Sequence, residues 1–256
     1  MPVATKLIYK LDPPITQANL TEAIRARLIA SGLPETLYDS GVSGTHNYLC
    51  WEIFLDRSKI QGKIYYVVWV RNDFNVLTNL YVTWTPSTKS GANGSAQPSF
   101  QLTTTLAIDF ISYVTDEYKF TYLSQSGNYG VLGYIRPLFK PIWWDENSFC
   151  YCFIPGQPGL NQIYCTALNP YSNGRMDALL SGYMANPNPY TNKRDILSGL
   201  VFLSQNSQGC AGRSSDDLVQ VAGNGLARFD RIVIQSGIEE YDLVVPGSNG
   251  IGLRVV

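Results

Sequence analysis

Histidine is almost missing from this sequence: one residue, His46, in a chain of 256. A zinc site built from several histidines is therefore excluded, and a histidine-based catalytic triad would have to use His46. That residue lies in Ser43-Gly44-Thr45-His46-Asn47, a polar stretch that reads as a solvated loop. Charge is also scarce: 15% of residues are charged, against about 25% in a typical globular chain, with 19 basic and 20 acidic residues and a net charge of −1. The densest basic cluster is Lys193-Arg194. Binding driven by neutralising phosphates, whether of nucleic acid or of an anionic membrane surface, is not supported, and no nucleic-acid partner is expected. Long apolar runs are absent. The longest is Ile64–Val70, seven residues, while a bilayer-crossing helix needs about 20, so no membrane span is expected. The opening residues hold no apolar stretch of signal-peptide length, so classical secretion is not expected. The five cysteines are too few and odd in number for a disulfide scaffold. Buried reduced thiols are expected, with Cys150 and Cys152 on one side of any strand that contains both.

Catalytic signatures are missing as well. No phosphate loop, no G-x-S-x-G elbow, no H-E-x-x-H helix and no EF-hand loop occurs. Gly223-Asn224-Gly225 has no third glycine at nucleotide-binding spacing and reads as a turn. No cofactor and no metal are expected. Acids occur as adjacent pairs: Asp116-Glu117, Asp145-Glu146, Asp216-Asp217 and Glu239-Glu240. Neighbours on a strand point to opposite faces, whereas glycoside hydrolysis needs two carboxyl groups converging from separate segments, about 5–10 Å apart. Asp145-Glu146 follow Trp143-Trp144, which fits a sugar cleft or a tryptophan pair straddling a strand, one ring in the core and one at an interface. The second reading is adopted. The chain is expected not to be an enzyme.

What the sequence holds in place of charge is Asn, Gln, Ser, Thr, Gly and 17 tyrosines. One helix is expected. Thr16 can cap it, Leu20, Ile24 and Leu28 form a stripe with a four-residue repeat, and Gly32 and Pro34 stop it after Ser31. The rest reads as short strands between turn clusters. These are Lys6–Leu11, Tyr48–Leu55, Ile64–Val70, Leu80–Trp84, Thr103–Phe110, Tyr118–Leu123, Val131–Ile135, Ile142–Trp144, Phe149–Ile154, Ile163–Leu168, Leu200–Leu203, Phe229–Ile234, Tyr241–Val245 and Ile251–Val256. Thr85–Ser99 is expected to be an exposed mobile loop, Arg175–Leu180 one helical turn, and Pro246–Gly250 a tight turn joining the last two strands. The fold class expected is mainly β with one amphipathic N-terminal helix (α+β), in β-sandwich-like modules. The Pro-rich seam Arg136–Pro141 suggests a division into residues 1–139, a helix plus β module, and 140–256, a β module with a long Asn/Pro-rich loop, with one continuous domain as the alternative.

Tyrosine and tryptophan give large contact area with few rotatable bonds, which suits interfaces. The candidate interface residues are Trp143, Trp144, Tyr171, Tyr183 and Tyr190, three of them on the Asn169–Lys193 loop. Thr85–Ser99 is a further candidate contact loop.

The C-terminal run Phe229-Asp-Arg-Ile-Val-Ile234, continuing through Glu239-Glu-Tyr-Asp-Leu-Val-Val-Pro-Gly-Ser-Asn-Gly250 to Val256, resembles terminal strands of phage tail, neck and baseplate components. The opening is similar too: a short arm, then Leu20–Gly32, then Asp39-Ser-Gly41. The resemblance is to structural proteins of tailed bacteriophage virions and contractile injection particles, and covers roughly the first 70 and last 30 residues. It implies a non-enzymatic virion assembly protein in the tail, neck or baseplate, oligomeric, assembled in the host cytoplasm, whose partners are other virion proteins and copies of itself. It carries over no functional residues. The alternative is a receptor-binding or lectin-like module that contacts host-surface glycan through exposed aromatic rings. A third possibility is a glycan hydrolase built on Asp145 and Glu146.

Overall fold

The computed structural model describes residues 4–54, 63–92, 99–115, 118–135, 152–157, 160–164, 175–178, 185–204, 210–234 and 239–255. It is mainly β, in several antiparallel sheets with one helix among the described residues, a β-sandwich-like α+β architecture. The elements run β1 (Thr5–Leu11), α1 (Gln17–Ala30), β2 (Asp39–Ser43), β3 (His46–Phe54), β4 (Lys63–Arg71), β5 (Asn75–Tyr81), β6 (Thr83–Thr85), β7 (Ser90–Ala92), β8 (Ser99–Gln101), β9 (Ile108–Val114), β10 (Tyr118–Gln125) and β11 (Asn128–Ile135). They continue as β12 (Cys152–Gln157), β13 (Leu160–Tyr164), β14 (Arg175–Ala178), β15 (Ile196–Ser198), β16 (Val201–Ser204), β17 (Cys210–Arg213), β18 (Leu218–Gly223), β19 (Arg231–Ile234), β20 (Glu239–Val245) and β21 (Gly247–Arg254).

The helix forms where its local chemistry places it. Thr16 Oγ1 accepts from the Asn19 N–H at 3.1 Å, and Asn19 Oδ1 accepts from the Thr16 N–H at 2.8 Å, a reciprocal cap for two amides with no intrahelical partner. Leu20, Ile24 and Leu28 are fully buried on one face. Gly32 ends the helix in the left-handed region (φ +100°).

The sheet β1-β9-β10-β11 has an apolar core on each face. On one face Ile108, Phe110, Leu123 and Leu132 join α1 and the inner side of the sheet β2-β3-β4-β5-β8. On the other, Tyr113, Phe120, Tyr122 and Val131 pack with Leu218, Val244, Ile251 and Leu253 of the sheet β15-β18-β21-β20-β19. Residues before and after the expected seam thus share a core, while Arg136–Pro141 itself lies outside the described residues. The strand alternation of period two explains the division: even-numbered β9 residues Ile108 and Phe110 face one core and Tyr113 the other. Tyr66, on β4, is wholly buried and accepts a hydrogen bond from the Gly133 N–H of β11 at 2.8 Å, tying two sheets together.

Several expectations are corrected. Arg175–Ala178 is not helical: it is β14, paired with β13 and β16, so cross-strand partners outweigh its helix-forming residues. The segment expected as the loop Thr85–Ser99 contains β7, which pairs with β6 as a hairpin anchored by the buried Trp84. The strand expected at Thr103–Phe110 begins later, at Ile108. Thr103 is instead fixed by Gln125, whose Oε1 accepts from the Thr103 N–H at 2.6 Å. Residues 247–250 do lie between the paired Val245 and Ile251, yet they are strand: Gly247 and Gly250 pair with Gly223 and Val221 of β18. The strands β2, β8, β15, β17 and β18 were not expected. Among the described residues no helix is long and apolar enough to cross a membrane.

Candidate functional site: an aromatic sheet face

The outer face of β3, β4 and β5 carries three cross-strand rows. Tyr48 pairs with Trp69 and Trp69 with Leu77; Cys50 with Val67 and Val67 with Asn79; Glu52 with Tyr65 and Tyr65 with Tyr81. Because alternate residues of β4 turn to opposite faces, Tyr66, Val68 and Val70 enter the core while Tyr65, Val67 and Trp69 build this face. The uninterrupted apolar run Ile64–Val70 reflects a strand covered on both sides.

Trp84 sits over the centre of the face. Its ring centroid is 5.7 Å from that of Tyr48, 5.9 Å from Trp69 and 5.8 Å from Tyr81, all tilted pairs of the kind that aromatic quadrupoles favour. Its indole Nε1–H donates to Asp39 Oδ2 at 2.7 Å, and the Tyr48 hydroxyl donates to Asp39 Oδ1 at 3.1 Å. One carboxylate at the start of β2 therefore orients two rings. Opposite Trp84 in the hairpin stands Gly91, seated on the Tyr81 ring, where a Cβ would come within 2.2 Å of ring carbon. Lys89 donates to the Val42 carbonyl, joining the hairpin turn to β2.

At the rim, Tyr38 is 43% exposed and its ring lies 4.9 Å from Tyr65. Tyr38 is fixed by its backbone N–H to the Cys50 carbonyl at 2.9 Å. His46 stands edge-on to Trp69 at 6.2 Å, so it belongs to the border of the aromatic face and is not a detached loop residue. Burial, with the Asp39 hydrogen bond and charge, pushes the Tyr48 phenol up to about 12, and burial with Tyr38 and Glu52 nearby does the same for Tyr65. Both remain neutral at physiological pH. Cys50 is a free, buried thiol, pushed up by burial and by the Asp39 and Glu52 charges. The face thus presents flat, neutral, prealigned rings beside two carboxylates, Asp39 and Glu52.

A second polar constellation lies inside the fold. Asp242 is fully buried, yet accepts from Lys6 Nζ at 2.6 Å, the Tyr113 hydroxyl at 2.7 Å and Arg231 Nε at 2.8 Å. Burial alone would raise this carboxyl; the hydrogen bonds from Lys6 and Tyr113 and the Lys6 and Arg231 charges hold it below the usual range. The group joins β1 and β9 to β19 and β20. It reads as a structural clamp, since every oxygen is committed to a donor on a neighbouring strand.

Of the interface residues expected from sequence, Trp143, Trp144, Tyr171 and Tyr183 lie outside the described residues, as do Asp116-Glu117 and Asp145-Glu146. Tyr190 is described and 96% exposed, in a turn where its N–H donates to Asn188 Oδ1 at 3.0 Å. The remaining acid pairs engage neighbouring bases: Asp216 with Arg213, Glu240 with Arg231, Asp217 and Glu239 with Arg254. Among the described residues no three His, Cys, Asp or Glu side chains come together as a metal site. Asn224 and Gly225 form the turn expected there, with Gly225 at φ +78°.

Fold and face together define a layered antiparallel β protein with a preorganised aromatic surface. No known protein-family model matches the chain, and no characterised protein matches it either.

Proposed function

We propose that this chain is a non-enzymatic structural and assembly protein of a tailed-phage or phage-like particle, a tail, neck or baseplate component that works by docking. The observation that supports it best is the aromatic face. Tyr38, Tyr65, Trp69 and Tyr81 form a partly exposed group of rings held by strand pairing and by the Asp39–Trp84 anchor, so little side-chain entropy is lost when a partner covers them. Aromatic rings of this kind are enriched in protein interfaces. Its partners in this reading are other virion proteins and further copies of the chain. The test is mass spectrometry on particles sedimented from a lysate of the producing culture. Assembly predicts that the chain pellets with capsid or sheath proteins at a fixed ratio; a chain that stays wholly in the supernatant contradicts it.

A second reading, recognition of host-surface glycan, is favoured by the exposed Tyr38 ring, 4.9 Å from that of Tyr65, since flat rings stack on sugar faces. A glycan array probed with the native oligomer tests it, and binding that disappears in Tyr38→Ala would support it.

A further inference from the structure

Among the described residues β1 is an edge strand. It pairs with β9 along its whole length, from Thr5 opposite Val114 to Leu11 opposite Ile108. Among the described residues no strand lies along its other edge. That edge is also apolar at its centre: Ile8 is 69% exposed, and Leu7 and Tyr9 flank it with more than a third of their surface open. Unpaired N–H and C=O groups beside exposed apolar side chains make a template for another strand.

We infer that the free edge of β1 pairs antiparallel with β1 of a second copy of this chain, about a two-fold axis at Tyr9. The sequence Lys6-Leu-Ile-Tyr-Lys-Leu-Asp12 is self-complementary in that register. Tyr9 stands opposite Tyr9, Leu7 opposite Leu11, Ile8 opposite Lys10, and Lys6, whose partly exposed ammonium also holds Asp242 of its own chain, opposite Asp12 of the other copy. A two-fold axis one residue earlier, at Ile8, would set Lys6 against Lys10, and directly opposed like charges are destabilising. Asp12 is well placed for its part. The residue before a proline is held extended, so Asp12 continues the line of the strand up to Pro13. Its carboxylate is largely exposed, and its contact with Lys10 is long, at 3.6 Å. Tyr9 is preset by the Arg27 guanidinium 4.4 Å from its ring centroid. The pairing joins two four-stranded sheets into one of eight strands. It rests on the assembly reading above and names the partner for one of its surfaces.

Ile8 is exposed, so it can be changed without disturbing the cores. Sedimentation velocity over a wide concentration range, with far-UV circular dichroism as the check on folding, compares the wild type with Ile8→Lys and Ile8→Glu. The register predicts a wild-type dimer. Ile8→Lys sets two like-charged pairs against Lys10 and weakens association about tenfold. Ile8→Glu, equally polar, sets two opposite-charged pairs there and holds or tightens the dimer in a salt-sensitive way. A wild-type monomer at every concentration, a dimer that ignores both variants, or equal weakening by both overturns the inference. Those results leave the assembly reading standing, because incorporation into particles is measured separately; a dimer that fails to pellet with particles overturns that reading alone.

Discussion

The indole Nε1–H of Trp84 and the carboxylate of Asp39, 2.7 Å apart and 45 positions apart in sequence, hold the β6–β7 hairpin onto the outer sheet face. Trp84→Ala removes both the buried ring and that hydrogen bond. A loss of about 3–5 kcal/mol is expected, as for other buried large aromatics. Trp84→Phe retains most of the packing and loses about 1–2 kcal/mol. Urea unfolding measures both, and amide exchange over residues 83–92 is expected to rise in the alanine variant before the core unfolds.

Acid weakens the fold through Asp242. Its carboxyl is lowered in the folded state, so its contribution is fully present above its unfolded pKa, near 4, and is lost as pH falls through the lower folded value. Asp242→Asn is expected to cost about 2–3 kcal/mol at neutral pH, below the range for wholly buried pairs because Lys6 and Arg231 keep partial access to water. The variant loses this part of the acid dependence. Denaturant unfolding at a series of pH values reads both effects.

Tyr66→Phe leaves the Gly133 N–H without its acceptor inside the protein. A loss of about 1–3 kcal/mol follows. Gly133→Ala is more severe, because a Cβ there would stand 1.6 Å from the Lys119 carbonyl oxygen and the residue has φ +131°. Thermal melts of both variants check the order.

Cys50 is expected to resist thiol reagents in the native protein and to react on unfolding, since the thiolate is the reactive form and burial disfavours it. A labelling time course with and without denaturant, resolved by peptide mass, follows this one thiol among the five.

The parts of the fold written in local chemistry were legible. Thr16, the Leu20–Ile24–Leu28 stripe and Gly32 specify the helix within a residue of its observed ends. The aromatic-rich Tyr48–Leu55, bounded by polar turns, and the apolar run Ile64–Val70 marked β3 and β4. What escaped notice depends on distant partners. The strand β18 is buried at every position, yet Leu-Val-Gln-Val-Ala-Gly is short and lies between β15 and β21, which supply its partners. Asp242 sits in a strand pattern where a polar residue implies solvent. Only the approach of Lys6 and Tyr113, both more than 120 positions away, makes it a core residue. The aromatic face was hidden because Tyr38, Tyr48, Trp69, Tyr81 and Trp84 belong to five segments and meet only through sheet register. The tyrosine count was the one signal of it.

The central claim is that the aromatic face is a docking surface for particle assembly. The most direct measurement is the fraction of chain that co-sediments with particles for the wild type and for Tyr38→Ser/Tyr65→Ser, with melting temperatures confirming that both are folded. The account predicts a folded double variant that is depleted from the pellet while the wild type pellets at a fixed ratio. Equal incorporation of the two proteins would contradict it.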